Sequence, residues 1–172
     1  MESDGVYTPE TVDAAQAAYD SLGSTAQIVV KETAKAMELD PAEYDDRITS
    51  DVIETARDAL FASLLEVHHG DRAAFENWCD DHPAYAVELL GSDEVDAVVW
   101  HPVPFAETVV AATYQNEPAA AAATVRRRAF GEEYRPEFAA DNARMELPVL
   151  PSTAPLSLAH FARPVLLPPA PS

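Results

Sequence analysis

Apolar positions follow helical spacing along the first part of the chain and shorter alternating runs after it. Behind Ser50, Ile53, Ala56, Leu60, Leu64 and Val67 form one stripe, widened by Val52 and Ala59, with Asp51, Glu54 and Asp58 on the other side. A stripe that wide marks a helix at the centre of a core. Upstream, Ala26, Val29, Val30, Thr33 and Met37 share one face of a helix that Ser24 or Thr25 can cap. Thr8-Pro9 places a capping hydroxyl before a first-turn proline, predicting a helix through about Leu22 that stops at Gly23. Asp40-Pro41-Ala42-Glu43 resembles a capping box.

After Gly70 the pattern shortens. Asp71 can cap a helix to Asp81, which Pro83 ends. Residues 84–90, 96–101 and 107–114 read as strands, separated by Gly91-Ser92-Asp93 and Pro102-Val103-Pro104. Short connections without helical crossovers predict an antiparallel meander. Asn116-Glu117-Pro118 opens an alanine-rich helix to about Arg135. The expected class is α+β: N-terminal helices, a small three-stranded antiparallel sheet and a closing C-terminal helix, in one domain over residues 1–135. On the third strand Thr108, Val110 and Ala112 face one way and Val109, Ala111 and Thr113 the other, so neither face is strongly polar. The second face then needs covering, by the closing helix or by another chain. Homodimerisation through the sheet, with Trp100 as an interface aromatic, follows as an expectation.

Eight of the chain's 14 prolines lie in residues 136–172. Proline removes donors and blocks helix continuation, so this stretch is expected to be a Pro-rich extended or disordered tail. Its PVLP matches the PxxP docking pattern, which is common by chance.

Charge narrows the partner classes. With 30 acidic against 11 basic side chains, net charge -19, the chain would repel phosphate backbones and anionic membrane surfaces. Nucleic acid and membrane are therefore not expected as partners. An apolar content of 48% argues against wholesale disorder, and the acids are scattered with no calcium-loop pattern. Adaptation to concentrated salt remains, since molar salt shortens the Debye length to about 3 Å. Lys31 and Lys35 are the only lysines, against nine arginines. One cysteine forms no internal disulfide, the N-terminus lacks a basic-then-apolar leader, and no long uncharged apolar run exists. The expected setting is the cytoplasm of a halophile.

Two stretches carry a family resemblance: AQIVVKETAKAMELDPAEYDDRITSDVIETARDALFASLLEV and VVWHPVPFAETVVAATYQNEPAAAAATVRRRAFGEEYR. The chain resembles a small family of uncharacterised haloarchaeal proteins over most of residues 5–135, the proline-rich tail excluded. The resemblance implies a haloarchaeal cytoplasm and no catalytic residues.

Candidate chemistry is sparse, with no P-loop, GxGxxG, HExxH or GxSxG motif. In WCDDHP, Trp78, Cys79 and His82 continue a helix face begun by Phe75, while Asp80 and Asp81 fall towards solvent. As a helix end, Cys79 is a small buried hydrophobe and His82 caps carbonyls. As a site, Cys79 and His82 could join His101 on a metal, or a histidine could activate the thiol. Arg126-Arg127-Arg128 is the one basic run. Arg127 points most nearly outward, Arg126 and Arg128 flank the buried stripe, and Arg128 can pair with Glu132. An anion site there would use Arg126 and Arg128 with His101. The WHPVPF turn, with Trp100 and His101, offers a stiff, partly apolar loop. The reading overall is a non-enzymatic interaction or regulatory module with an unknown protein partner and no cofactor. The alternative is a small metalloprotein or thiol enzyme using Cys79, His82 and His101.

Overall fold

The computed structural model describes residues 2–145. A short strand, β1 (Glu2–Asp4), precedes four helices: α1 (Val12–Ser21), α2 (Gly23–Ala36), α3 (Pro41–Arg47) and α4 (Ser50–Leu64). Then come β2 (Val67–Asp71), α5 (Arg72–Asp81), β3 (Ala86–Leu90), β4 (Ala97–Val103) and β5 (Thr108–Thr113). Helix α6 (Pro118–Ala129) continues through a π-helical turn (Phe130–Tyr134) into α7 (Arg135–Met145).

Local capping chemistry sets several of these ends. Asp40 accepts from the Glu43 amide at 2.9 Å, and the Glu43 carboxylate accepts from the Asp40 amide at 3.2 Å, completing the capping box on α3. Asp71 accepts from the Ala74 amide at 2.8 Å and starts α5. The first helix starts later than expected, because Thr11, not Thr8, accepts from the Ala14 amide, while the Thr8 hydroxyl donates to Glu66. Ser24 and Thr25 cap nothing: α2 begins directly after Leu22, whose carbonyl takes the Ala26 amide at 2.9 Å.

The sheet corrects the predicted topology. It has five strands in the order β1-β2-β4-β5-β3, and β3 pairs with β5 in parallel while the other pairs are antiparallel. No helical crossover is needed for that parallel pair. Strands β3 and β4 run in opposite directions with a gap between them, and β5 returns into the gap. Gly91, at φ +103°, lets the connection turn over the end of β5, where a Cβ would collide with Thr113. The predicted break at Pro102 is also displaced: β4 continues to Val103, and the turn is Pro104–Ala106 closed by left-handed Glu107. Strand β2 was missed because Val67 continues the helical stripe of α4. The helix ends earlier because tertiary partners take its last backbone groups, with Tyr7 accepting the Glu66 amide and Arg126 donating to the Leu65 carbonyl.

Both faces of the central strands β4 and β5 are covered within the chain. On one, Val67, Val99, Val103, Val110 and Ala112 meet α1, α4 and α6 in the larger core. At its centre Phe61 packs with Tyr7, Tyr19, Phe130, Tyr134 and Phe138, at centroid distances of 5.3 to 6.0 Å. On the other face, Val98, Trp100, Val109 and Ala111 are covered by α5 through Phe75, Trp78 and Cys79. Trp100, fully buried, is therefore not a surface aromatic, while Val87 on the edge strand β3 stands half exposed.

Helical structure also runs beyond Arg135, where an extended segment was expected. In an α-helix residues four apart run ahead of a common face, and a wider i→i+5 turn lets them fall back. The π turn thus keeps Phe130, Tyr134 and Phe138 on one side, all buried against Phe61. It also opens the backbone just before Pro136, whose ring would otherwise crowd the Glu132 carbonyl. The remainder of the expected tail lies outside the described residues.

Candidate functional site

Helix α5 carries the WCDDHP string, and the structure resolves it as a helix end. The His82 ring stacks on Trp78 at 4.1 Å, its Nδ1 lies 2.7 Å from the Trp78 carbonyl, and its amide donates to the Cys79 carbonyl. Burial pushes the Cys79 thiol up, with the carboxylates of Asp80 and Glu76 adding to the effect. That is the wrong direction for a nucleophilic thiolate.

His101 lies on the opposite side of the sheet. Successive strand residues alternate in face, so Trp100 packs beneath α5 while His101 enters the core beneath α6 and the π turn. Its Nδ1 is 2.5 Å from the Glu66 carbonyl and its Nε2 is 2.9 Å from the Tyr134 hydroxyl. A carbonyl accepts only, so Nδ1 carries the proton, and Tyr134 donates to Nε2. Complete burial lowers the His101 pKa to about 4, and Tyr134 is raised above the ordinary phenol value for the same reason. Neutral His101 thus ties β4 to the π turn and to the residue before β2. Cys79 and His82 do not converge with it, and among the described residues no group of three or more His, Cys, Asp or Glu side chains could hold a metal.

The arginines have structural partners. Arg126 donates from Nε to the Leu65 carbonyl at 2.7 Å and from Nη2 to Asp4 at 3.0 Å, with its side chain only 14% exposed. Arg128 pairs with Glu88 at 2.6 Å and, as the i,i+4 spacing suggested, with Glu132 at 2.9 Å. An external anion at either would have to displace carboxylates already in place. Trp100 and His101, assigned to the same surface, are both fully buried.

A different surface stands out. Helices α2 and α4 pack side by side and leave between them an open groove of about 390 Å³. Nine of its twelve lining residues are apolar, and Arg47 is the one charged member. Val30 and Ala34 are buried at its base, while Val29, Met37 and Val52 stand exposed along it. The groove closes at Leu39 and Ile48, where the chain passes through α3. Leu39 is held there by the end of α2, with its amide on the Ala34 carbonyl at 3.2 Å and Glu38 in the left-handed region at φ 56°. That six-to-one bond with its five-to-two companion, Glu38 to Lys35, is a Schellman motif carrying glutamate where glycine is usual.

The neighbouring cleft beneath α7, about 530 Å³, differs in kind. It contains Asp51, Glu54 and Asp58, and Asp58 is engaged by the Tyr19 hydroxyl at 2.6 Å and by Arg135 at 2.8 Å. Burial, reinforced by Asp58, raises the Tyr19 pKa.

The groove was signalled in the sequence by stripe width. Val52 and Ala59 widened the α4 stripe, and Val29, Thr33 and Met37 shared a face of α2. A single sheet contact cannot bury so wide an arc, and the surplus of both helices lines the groove.

A protein-family model described as a family of unknown function (DUF5809) matches residues 6–135. No curated protein and no solved structure matches the chain.

Proposed function

The chain belongs to the DUF5809 family, a family of unknown function, and within it we propose a non-enzymatic interaction module whose working surface is the groove between α2 and α4. The observation that carries this reading is the groove's lining, apolar and partly exposed in a chain of net charge -19. Covering Val29, Met37 and Val52 would add stability, since each fully buried aliphatic side chain stabilises by about 1.5–3 kcal/mol relative to an exposed one. The fitting ligand is an apolar chain segment of low charge, because an acidic one is repelled and a strongly basic one gains nothing from an apolar floor. The metalloprotein or thiol alternative loses its donor set, with Cys79 and His82 on one side of the sheet and His101 on the other. The acidic surface and the scarcity of lysine support a haloarchaeal cytoplasm as the working environment.

Photo-crosslinking tests the surface. A benzophenone side chain in place of Met37, 61% exposed on the groove, is expected to capture a chain segment in the host cell or in the purified protein. The same group in place of Asp93, on the exposed turn after β3, gives the background. Capture at position 37 no greater than at position 93 would remove the groove as a binding surface.

A further inference from the structure

We infer that the groove between α2 and α4 is occupied in cis, by residues 156–167 of the same chain, LSLAHFARPVLL. The inference rests on the reading of the groove as a site for an apolar chain segment and adds the identity of that segment.

Charge and composition select it. Residues 1–145 carry 29 acids and 10 bases, whereas residues 146–172 carry one of each, Glu146 and Arg163. Within 156–167 the one charged side chain is Arg163, and an apolar segment without acids is the kind that an apolar groove on an acidic body accepts without repulsion. Leu156, Leu158, Phe161 and the run Val165-Leu166-Leu167 supply apolar side chains in number.

Position makes it reachable. Asn142 and Ala143 of α7 line the same cleft as Asp51 and Thr55 of α4, and Thr55 also lines the groove. The described chain therefore ends at Met145 on the far shoulder of α4, about one helix diameter, ~10 Å, from the groove. Residues 146–155 intervene, and ten residues in extended form span up to about 30 Å. The tether has length to spare.

Tethering then decides between this segment and a free competitor. A short flexible linker holds its cargo at an effective concentration on the order of millimolar, about a thousandfold above a micromolar second copy. Weak intrinsic affinity is enough for occupancy, and any external partner of the groove must first displace the segment. The family match ends at residue 135, so the groove belongs to the matched region and its occupant lies beyond it.

The test uses the full chain with the benzophenone in place of Met37, as an equal mixture of isotopically light and heavy chains in molar KCl. Irradiation, digestion and mass spectrometry are expected to join position 37 to a peptide within residues 156–167, both halves of the same isotope. Leu158→Asp with Phe161→Ser, which alters no described residue, lowers the yield by about tenfold or more, as loss of two buried apolar side chains requires. Mixed-isotope products would assign the groove to a second copy and overturn the inference. Capture of another protein in cells, with no capture in the purified chain, would overturn it while leaving the groove as a binding surface. Capture in neither would remove both.

Discussion

His101 is held between the Glu66 carbonyl and the Tyr134 hydroxyl with no exposure. Its pKa of about 4 lies below the unfolded value of about 6.5. Above pH 6.5 neither state holds the proton and the residue contributes no pH dependence. Between 6.5 and 4 the unfolded chain binds a proton that the folded chain refuses, so stability falls as pH falls, by about 1.4 kcal/mol per unit at most. Half-buried His68 is shifted the same way by desolvation and adds to the slope. Imidazole NMR should show neutral His101, protonated at Nδ1, down to about pH 4; a midpoint near 6.5 would contradict its burial. Tyr134→Phe removes the donor to Nε2 and should cost about 1–3 kcal/mol in denaturant unfolding, as expected for a buried acceptor left unpaired. Little of this was legible in the sequence. Strand alternation separates His101 from Trp100 once β4 is known, but which face α5 covers depends on packing between distant segments. The helix-end reading of Trp78, Cys79 and His82 was legible because it depends only on residues within two turns.

At the scale of elements, features set by neighbours in sequence were readable and features set by distant partners were not. The capping box at Asp40 and the cap at Asp71 formed as the sequence indicated. The insertion of β5 between β3 and β4, the strand β2 and the continuation through the π turn all depend on residues far apart in the chain. The end of α2 gives an element-scale prediction. Glu38 holds a left-handed conformation that costs a side-chain-bearing residue about 1–2 kcal/mol, and glycine is free of that strain. Part of the gain returns as extra freedom of the unfolded chain. Glu38→Gly should therefore stabilise the protein by about 0.5–1 kcal/mol with the groove unchanged, read from the denaturation midpoint. A lower midpoint would mean that the left-handed turn does not persist in solution.

For the whole molecule, charge and the open groove set the behaviour. Asp45, Asp46, Asp93, Glu94 and Glu117 all stand on the surface, and their mutual repulsion opposes the compact state. Between 0.15 and 1 M salt the Debye length falls from about 8 to about 3 Å, so the melting temperature should climb by several degrees as KCl is raised over that range. A flat or falling trend would remove the salt-adapted reading. The most direct test of the central claim, an occupied groove, is methyl NMR of the full chain in molar KCl with a soluble paramagnetic probe. The molecule supplies both references: Ile28, 61% exposed on α2 but outside the groove lining, and Val110, fully buried in the core. The methyls of Val29 and Val52 are predicted to be shielded nearly as well as those of Val110. Relaxation matching that of Ile28 would show the groove open to solvent and contradict the claim.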